Sequence, residues 1–265
     1  MKYEDLLLEK EGGIATITLN VPEKLNALTD NIRTNLPLAA DEVAKDDDVR
    51  VVIVTGAGRG FCSGADVTVM AKISGGDTEI PRHTRLQVLG WPFADAFPRL
   101  DKPVVAAING ACVGGGLSLA LSCDIRIASE TARFGALQIA RALVPDYGIT
   151  HFLPKIAGIS KAMELMFTGE IISAAEAERL GIVSRVVPPD ELMKTARELA
   201  TRIAQQAPIP IELTKKIVWR GLLEGLTRQL DLETYAQQIC RQTDDHRESV
   251  RAFLEKRPQP QFKGK

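Results

Sequence analysis

Apolar and polar positions along the chain change period several times, and each change marks an element. Residues 3–9 and 13–19 alternate apolar with polar, and Glu11-Gly12-Gly13 between them reads as a hairpin turn. Pro22 ends the second strand, and Thr29 is placed to cap a helix over 30–44, where Ile32, Leu36, Leu38 and Val43 fall at roughly helical spacing. Val49 to Val54 is almost unbroken apolar sequence, the pattern of a strand covered on both faces.

The same rhythm returns. A loop over 55–65 is followed by an irregular stretch, a helix over 84–99 and a buried strand over 103–108. A glycine-rich turn at Gly114-Gly115-Gly116 then opens a helix running to Cys123, and a further strand covers 124–128. Strand, loop, helix, strand in repetition predicts an α/β fold with crossover connections. From about residue 189 the pattern becomes helical, over 189–206, 210–225 and 227–242, with Leu192, Ala196, Leu199, Ala200 and Ile203 on one face. The polar tail over 257–265, with two prolines, reads as loosely held. The division is thus a body over 1–188 and a helical portion over 189–265.

Composition narrows the function classes. In 265 residues, 33 basic side chains meet 34 acidic ones, a net charge of −1 that offers nucleic acid or membrane no general attraction. No stretch approaches the roughly 20 apolar residues of a membrane span, and no signal peptide precedes Asp5; a soluble, cytoplasmic protein is expected. Cys62, Cys112, Cys123 and Cys240 lack CxxC spacing and read as reduced thiols. His83, His151 and His246 are far apart, so no metal site is expected.

Two glycine clusters carry the candidate chemistry. Gly56-Ala57-Gly58-Arg59-Gly60 follows a strand as a dinucleotide-binding turn would, but Phe61 and Ser63 break the G-x-G-x-x-G fingerprint and no helix starts at Gly58; it reads as a turn. Gly114 to Gly116 run directly into a helix. Bare amides there suit an anion or a developing oxyanion, and the same glycines equally suit close strand–helix packing. No Walker lysine follows, and Ser118 is not in a G-x-S-x-G elbow.

Several segments, in order, resemble the crotonase (enoyl-CoA hydratase/isomerase) superfamily over nearly the whole chain. They are Leu25-Asn26-Ala27-Leu28, Phe61-Cys62-Ser63-Gly64-Ala65-Asp66, Lys102-Pro103 with the strand to Gly110, the glycine triplet, and Ser122-Cys123-Asp124-Ile125. Gly169 to Ala174 and Gly181-Ile182-Val183 complete the set. The resemblance implies a crotonase-like spiral of ββα units over 1–188, with a helical C-terminal region over 189–265 for oligomerisation and pocket closure. It further implies a homotrimer or a dimer of trimers, an acyl-CoA substrate, and no cofactor beyond the coenzyme A that the substrate carries.

Residue by residue, the resemblance places the thioester oxygen between the amides of Ala65 and Gly115. It places CoA and substrate contacts at Lys24, Ala27, Ser63, Ala65, Asp66, Val67, Gly114, Gly115, Ser118 and Gln138. Two such donors lower the cost of an α-carbanion, each typically by about 3–4 kcal/mol of barrier. The hydratases it resembles carry two glutamates where this chain has Ser118 and Gln138, neither of which is a base near neutral pH.

One acid remains, Asp146 in Leu143-Val144-Pro145-Asp146-Tyr147-Gly148, at the position of a catalytic carboxylate in several superfamily isomerases. Without the resemblance Asp146 reads as an N-cap for a helix over 148–157. A single carboxylate suits double-bond or epoxide isomerisation. The alternatives are a hydratase with an atypical site, a non-catalytic acyl-CoA-binding protein, and a hydrolytic aryl-CoA dehalogenase, whose His and Trp positions here hold Trp91 and Gln138. Trp91, Phe93 and Phe97 are candidates for a ring-sized acyl pocket, though that spacing more often means core; Tyr147 and His151 are expected to be structural, Lys24 to meet a CoA phosphate or solvent, and Asp66 to order its loop.

Overall fold

The computed structural model describes residues 3–66, 93–222 and 224–265. Strands β1 (Leu6–Glu11) and β2 (Ile14–Leu19) form the antiparallel hairpin, turned by Gly12 and Gly13 at φ of 58° and 80°. The first strand starts later than its alternation suggests. Asp5 sits at φ 62°, and its carboxylate accepts hydrogen bonds from Thr29 and Asn31, so the chain enters β1 through a tie to the next helix.

That helix, α1 (Asp30–Ala44), is capped as expected, with Thr29 Oγ1 accepting from the Ile32 amide at 3.1 Å. Ile32, Leu36, Ala39, Ala40 and Val43 form its buried face. Leu38, assigned to that face from the sequence, lies outside it and is exposed, because Ala39 and Ala40 fill the turn above Leu36.

From here the strands come in pairs that divide between two sheets: β3 (Val51–Gly56) with β4 (Gly60–Cys62), β5 (Val104–Ile108) with β6 (Ala111–Val113), and β7 (Ile125–Ser129) with β8 (Arg133–Gly135). The first of each pair joins a six-stranded sheet in the order β1-β2-β3-β5-β7-β10, closed by β10 (Arg185–Val187). The second joins a four-stranded sheet, β4-β6-β8-β9, ended by β9 (Ile172–Ser173). Between the pairs lie α2 (Ala96–Arg99) and α3 (Gly115–Leu121), and after β8 come α4 (Ile149–Ala157), α5 (Ile159–Thr168) and α6 (Ala174–Arg179). Of the helix expected over 84–99, residues 84–92 lie outside the described residues.

The unbroken apolar runs of β3 and β5 follow from two covered faces. Val52, Val54, Val104, Ala106 and Ile108 face the main core, while Val51, Ile53, Val105 and Ala107 face α7 (Leu192–Ala204) through Leu192, Ala196 and Ala200. The face read on that helix is therefore a sheet-covering face. Beyond it lie α8 (Pro208–Gly221), α9 (Leu226–Arg241) and α10 (Asp244–Leu254).

The fourth of these helices was not expected, since it is largely polar; Thr243 caps it by accepting from the His246 amide at 3.1 Å. The tail is fastened, contrary to its composition. Asp245 accepts from the amides of Lys263 and Gly264 at 2.8 and 2.7 Å, and the Phe262 carbonyl accepts from Arg50.

Candidate active site

The small sheet sets the site. In register, Cys62 pairs with Cys112, Cys112 with Phe134, and Val113 with Gly135, on parallel strands. The segments that follow, 63–66, 114–115 and 136–138, therefore leave the sheet side by side. Ligand sites in such sheets form outside the carboxyl ends of the strands.

A cavity of about 320 Å³ opens there, and Lys24, Ala27, Ser63, Ala65, Asp66, Gly114, Gly115, Gln138 and Asp146 all contribute to its wall. Val67 and Trp91 lie outside the described residues. Ser118 does not reach the wall; it is buried one turn into α3. Leu137, Arg141, Leu143 and Tyr147 also line the cavity. Leu143 and Tyr147 come with the sequence segment that carries Asp146, Tyr147 having been expected to be structural; no motif marks Leu137 or Arg141, and all four arrive through the fold of the stretch between β8 and α4.

The backbone of residue 64 packs directly on the glycine turn. A methyl group on Gly64, which sits at φ 87°, would lie 2.9 Å from the Val113 carbonyl and 3.1 Å from the Gly115 nitrogen. The Gly64 carbonyl accepts from the Leu28 amide at 2.7 Å, tying this loop to the start of α1. Gly115 is the first residue of α3, where an amide has no intrahelical acceptor. Among the described residues, neither the Ala65 nor the Gly115 amide donates to a main-chain carbonyl. Gly116 serves packing instead, since a Cβ there would stand 2.1 Å from the Cys62 carbonyl. Close packing thus falls on Gly116, while the amide of Gly115 is left without a main-chain acceptor.

Asp146 caps nothing. Gly148 occupies the cap position of α4 at φ 92°, without a side-chain cap. The Asp146 carbonyl accepts from the Ser118 hydroxyl at 3.0 Å and from the Ile149 amide at 3.2 Å, and its carboxylate accepts from Gln138 Nε2 at 3.0 Å. Desolvation raises the Asp146 pKa above the ordinary carboxylate value, while the Gln138 hydrogen bond and its own amide oppose that rise. Gln138 is 8 % exposed, and its Oε1 has no partner among the described residues. Such a buried orphan typically costs about 1–3 kcal/mol.

Around this pair, Tyr147 sits at φ 55° and packs edge-on to Phe93 at 4.7 Å. Burial, then the Asp146 charge, push its phenol pKa up, and Arg33 opposes them. Phe93 and Phe97 are core side chains outside the cavity wall. His151 lies on α4 beside Lys155, 3.0 Å away, and outside the wall. Lys24 is bound to Asp66 at 2.8 Å, and Ser63 Oγ donates to the Lys24 carbonyl at 3.0 Å, so these three side chains hold the loop that carries Ala65.

The Gly56 to Gly60 turn is closed inward. Asn109 Nδ2 donates to the carbonyls of Gly56, Gly58 and Gly60, and Asn26 Nδ2 to those of Ala57 and Gly60. Cys62, Cys112 and Cys123 are free and buried, and burial pushes the Cys62 and Cys123 thiols to about 12. Among the described residues no group of three His, Cys, Asp or Glu side chains comes together, and no helix is long and apolar enough to cross a membrane.

Comparison with known proteins matches residues 9–265 to the enoyl-CoA hydratase/isomerase family model. The chain is 38 % identical to a short-chain-enoyl-CoA hydratase of Clostridium acetobutylicum over 100 % of both chains. It is 37 % identical to a 1,2-epoxyphenylacetyl-CoA isomerase of Escherichia coli over 99 % of both. A crystal structure of an enoyl-CoA hydratase from Geobacillus kaustophilus superposes with a TM-score of 0.92, at 36 % identity and with 100 % of each chain covered.

Proposed function

The chain belongs to the enoyl-CoA hydratase/isomerase family, and from that premise we propose that it is an isomerase of enoyl-CoA or epoxyacyl-CoA esters working with one carboxylate base. The acyl-CoA thioester oxygen lies between the amides of Ala65 and Gly115. Asp146 takes a proton from carbon, and the C–H electron pair moves onto the thioester oxygen, where the two amides stabilise it. Asp146 then returns the proton to another carbon, or to the oxygen of an opened epoxide.

One observation carries the reading. Asp146 shares the cavity wall with both amide-bearing segments, while the two hydratase glutamate positions hold Ser118 and Gln138, each of which hydrogen-bonds to Asp146. The relative named 1,2-epoxyphenylacetyl-CoA isomerase supports it. The exposed Leu226, Tyr235, Phe253 and Leu254 of α9 and α10 support assembly with further copies of the chain, as a trimer or a dimer of trimers.

Hydration is the second reading, favoured by relatives named as hydratases. It requires a water activated by Asp146 alone, since Ser118 Oγ is engaged with the Asp146 carbonyl. Ultraviolet absorbance separates the two. Isomerisation of a 3-enoyl-CoA creates the conjugated enoyl band, and hydration of crotonyl-CoA bleaches it. We expect band growth, and loss of at least ~100-fold in turnover for Asp146→Asn, the scale of general-base catalysis. Bleaching of crotonyl-CoA without band growth establishes the hydratase. Tight CoA-ester binding with no deuterium exchange at the α-carbon establishes a binding protein.

A further inference from the structure

The contact between Gln138 and Asp146 has a consequence for where the transferred proton travels, given the reading of Asp146 as the base. We propose that Gln138 is a positioning residue that anchors Asp146 through Oδ1, so that the proton in transit is carried on Oδ2.

The geometry has three parts. Gln138 Nε2 donates to Asp146 Oδ1 at 3.0 Å, and an oxygen that accepts an N–H is less basic than its partner and, once protonated, a poorer acceptor for that N–H. Oδ2 is the remaining oxygen of a carboxylate on the cavity wall. Behind it, the Ser118 hydroxyl holds the Asp146 carbonyl at 3.0 Å, so main chain and side chain are gripped by two different elements, α3 and the turn after β8. With the proton on Oδ2, Oδ1 stays a carbonyl-type acceptor and the Gln138 bond survives. The base therefore keeps one orientation whether ionised or protonated, as a group that must return its proton elsewhere requires. Proton transfer runs from carbon to Oδ2 and back, with no net change at the enzyme.

The unpartnered Gln138 Oε1 agrees with this assignment. A glutamine 8 % exposed with one end unsatisfied is a poor structural choice, and its donor end is turned toward Asp146 because the acceptor end would set an oxygen against a carboxylate. Leucine has nearly the same shape and no orphaned atom.

Gln138→Leu is the test. The charged and titratable groups facing the same space, Arg141, Tyr147 with Arg33 behind it, and the Lys24–Asp66 pair, are left in place. We expect kcat to fall roughly 10-fold with KM nearly unchanged, and the acidic limb of the kcat/KM profile to rise by about one pH unit as the donor to the carboxylate is lost. The melting temperature should hold or rise. Carbon-13 NMR of aspartate carboxyls, with the Asp146 signal identified by its loss in Asp146→Asn, should show the same upward shift without reference to activity. A lower melting temperature with an unmoved Asp146 titration would assign Gln138 a structural role and overturn the proposal. Near-normal turnover in Asp146→Asn would remove the base itself, and the proposal with it; an unmoved titration alongside an inactive Asp146→Asn sinks the anchor alone.

Discussion

Partial desolvation at the cavity wall raises the pKa of Asp146, which keeps an exposed surface there, and the shift acts on folding as well as on proton transfer. Between the unfolded carboxylate value, about 3.9, and the raised folded value, the native state binds more protons than the unfolded chain. The contribution of this group to stability is therefore present at low pH and lost as pH rises through that window. At neutral pH the ionised carboxylate is a net cost to the fold. Asp146→Asn keeps an acceptor for Gln138 and removes the charge, so urea unfolding should find it more stable than the parent at pH 7, with the gap closing below about pH 4. Gain of stability together with loss of turnover is the expected signature of a base held in a partly desolvated position. Asp146 itself was visible in the sequence as the remaining acid. That it does not cap α4 was not, because the cap depends on the left-handed turn at Tyr147 and Gly148.

The glycine triplet divides its work by position along α3. Gly116→Ala puts a methyl group 2.1 Å from the Cys62 carbonyl, a main-chain atom of β4 that cannot yield without breaking the sheet. The expected loss exceeds ~4 kcal/mol, and the variant should fail to accumulate as folded protein. Gly115→Ala meets the Leu28 Cδ1 at 2.6 Å, the end of a buried core side chain and not main chain, and should fold, with its thermal transition between those of the parent and Gly116→Ala. Its turnover should drop, because the new Cβ lies beside Tyr147 on the cavity wall. Circular dichroism melts of the two variants check the contrast. Spacing alone marked the triplet as special, and only the packing of α3 on β4 separates one glycine from its neighbour.

Across the whole molecule, a buried cluster joins the helical end to the α/β body. Lys215 of α8 pairs with Asp124 at 2.8 Å and donates to the carbonyls of Phe97 and Lys102, while Trp219 Nε1 and the Val104 amide donate to the Asp124 carboxylate. Burial pushes the Lys215 pKa down, and Asp124 opposes it. Asp124→Ala would leave a buried ammonium without its counter-charge, a loss of about 3–5 kcal/mol. Lys215→Met should cost less, since Asp124 keeps two donors and the methionine refills the space. Denaturant titration of both variants tests that order, and equal losses would show that the charge of Lys215 is not the governing factor. Nothing in the pattern near either residue announced the pair, for the two are far apart in sequence.

The sequence by itself determined the longer, strongly patterned elements and the chemistry that their residues can offer. Period-two and period-3.6 patterns place α1 and the buried strands, Thr29 starts α1 where the sequence puts it, and residue identities at 118, 138 and 146 decide which of these three positions can carry a charge. These are local properties, decided by which atoms a residue carries and how its neighbours repeat. Tertiary structure alone decided that Ser118 grips a main-chain oxygen instead of facing the cavity, that Gln138 turns its donor to Asp146, and that the polar tail is tied down by Asp245. Each depends on a direction and a distance between elements brought together by the spiral, and a hydrogen bond of 3 Å is set by that meeting, not by the residues on either side of it.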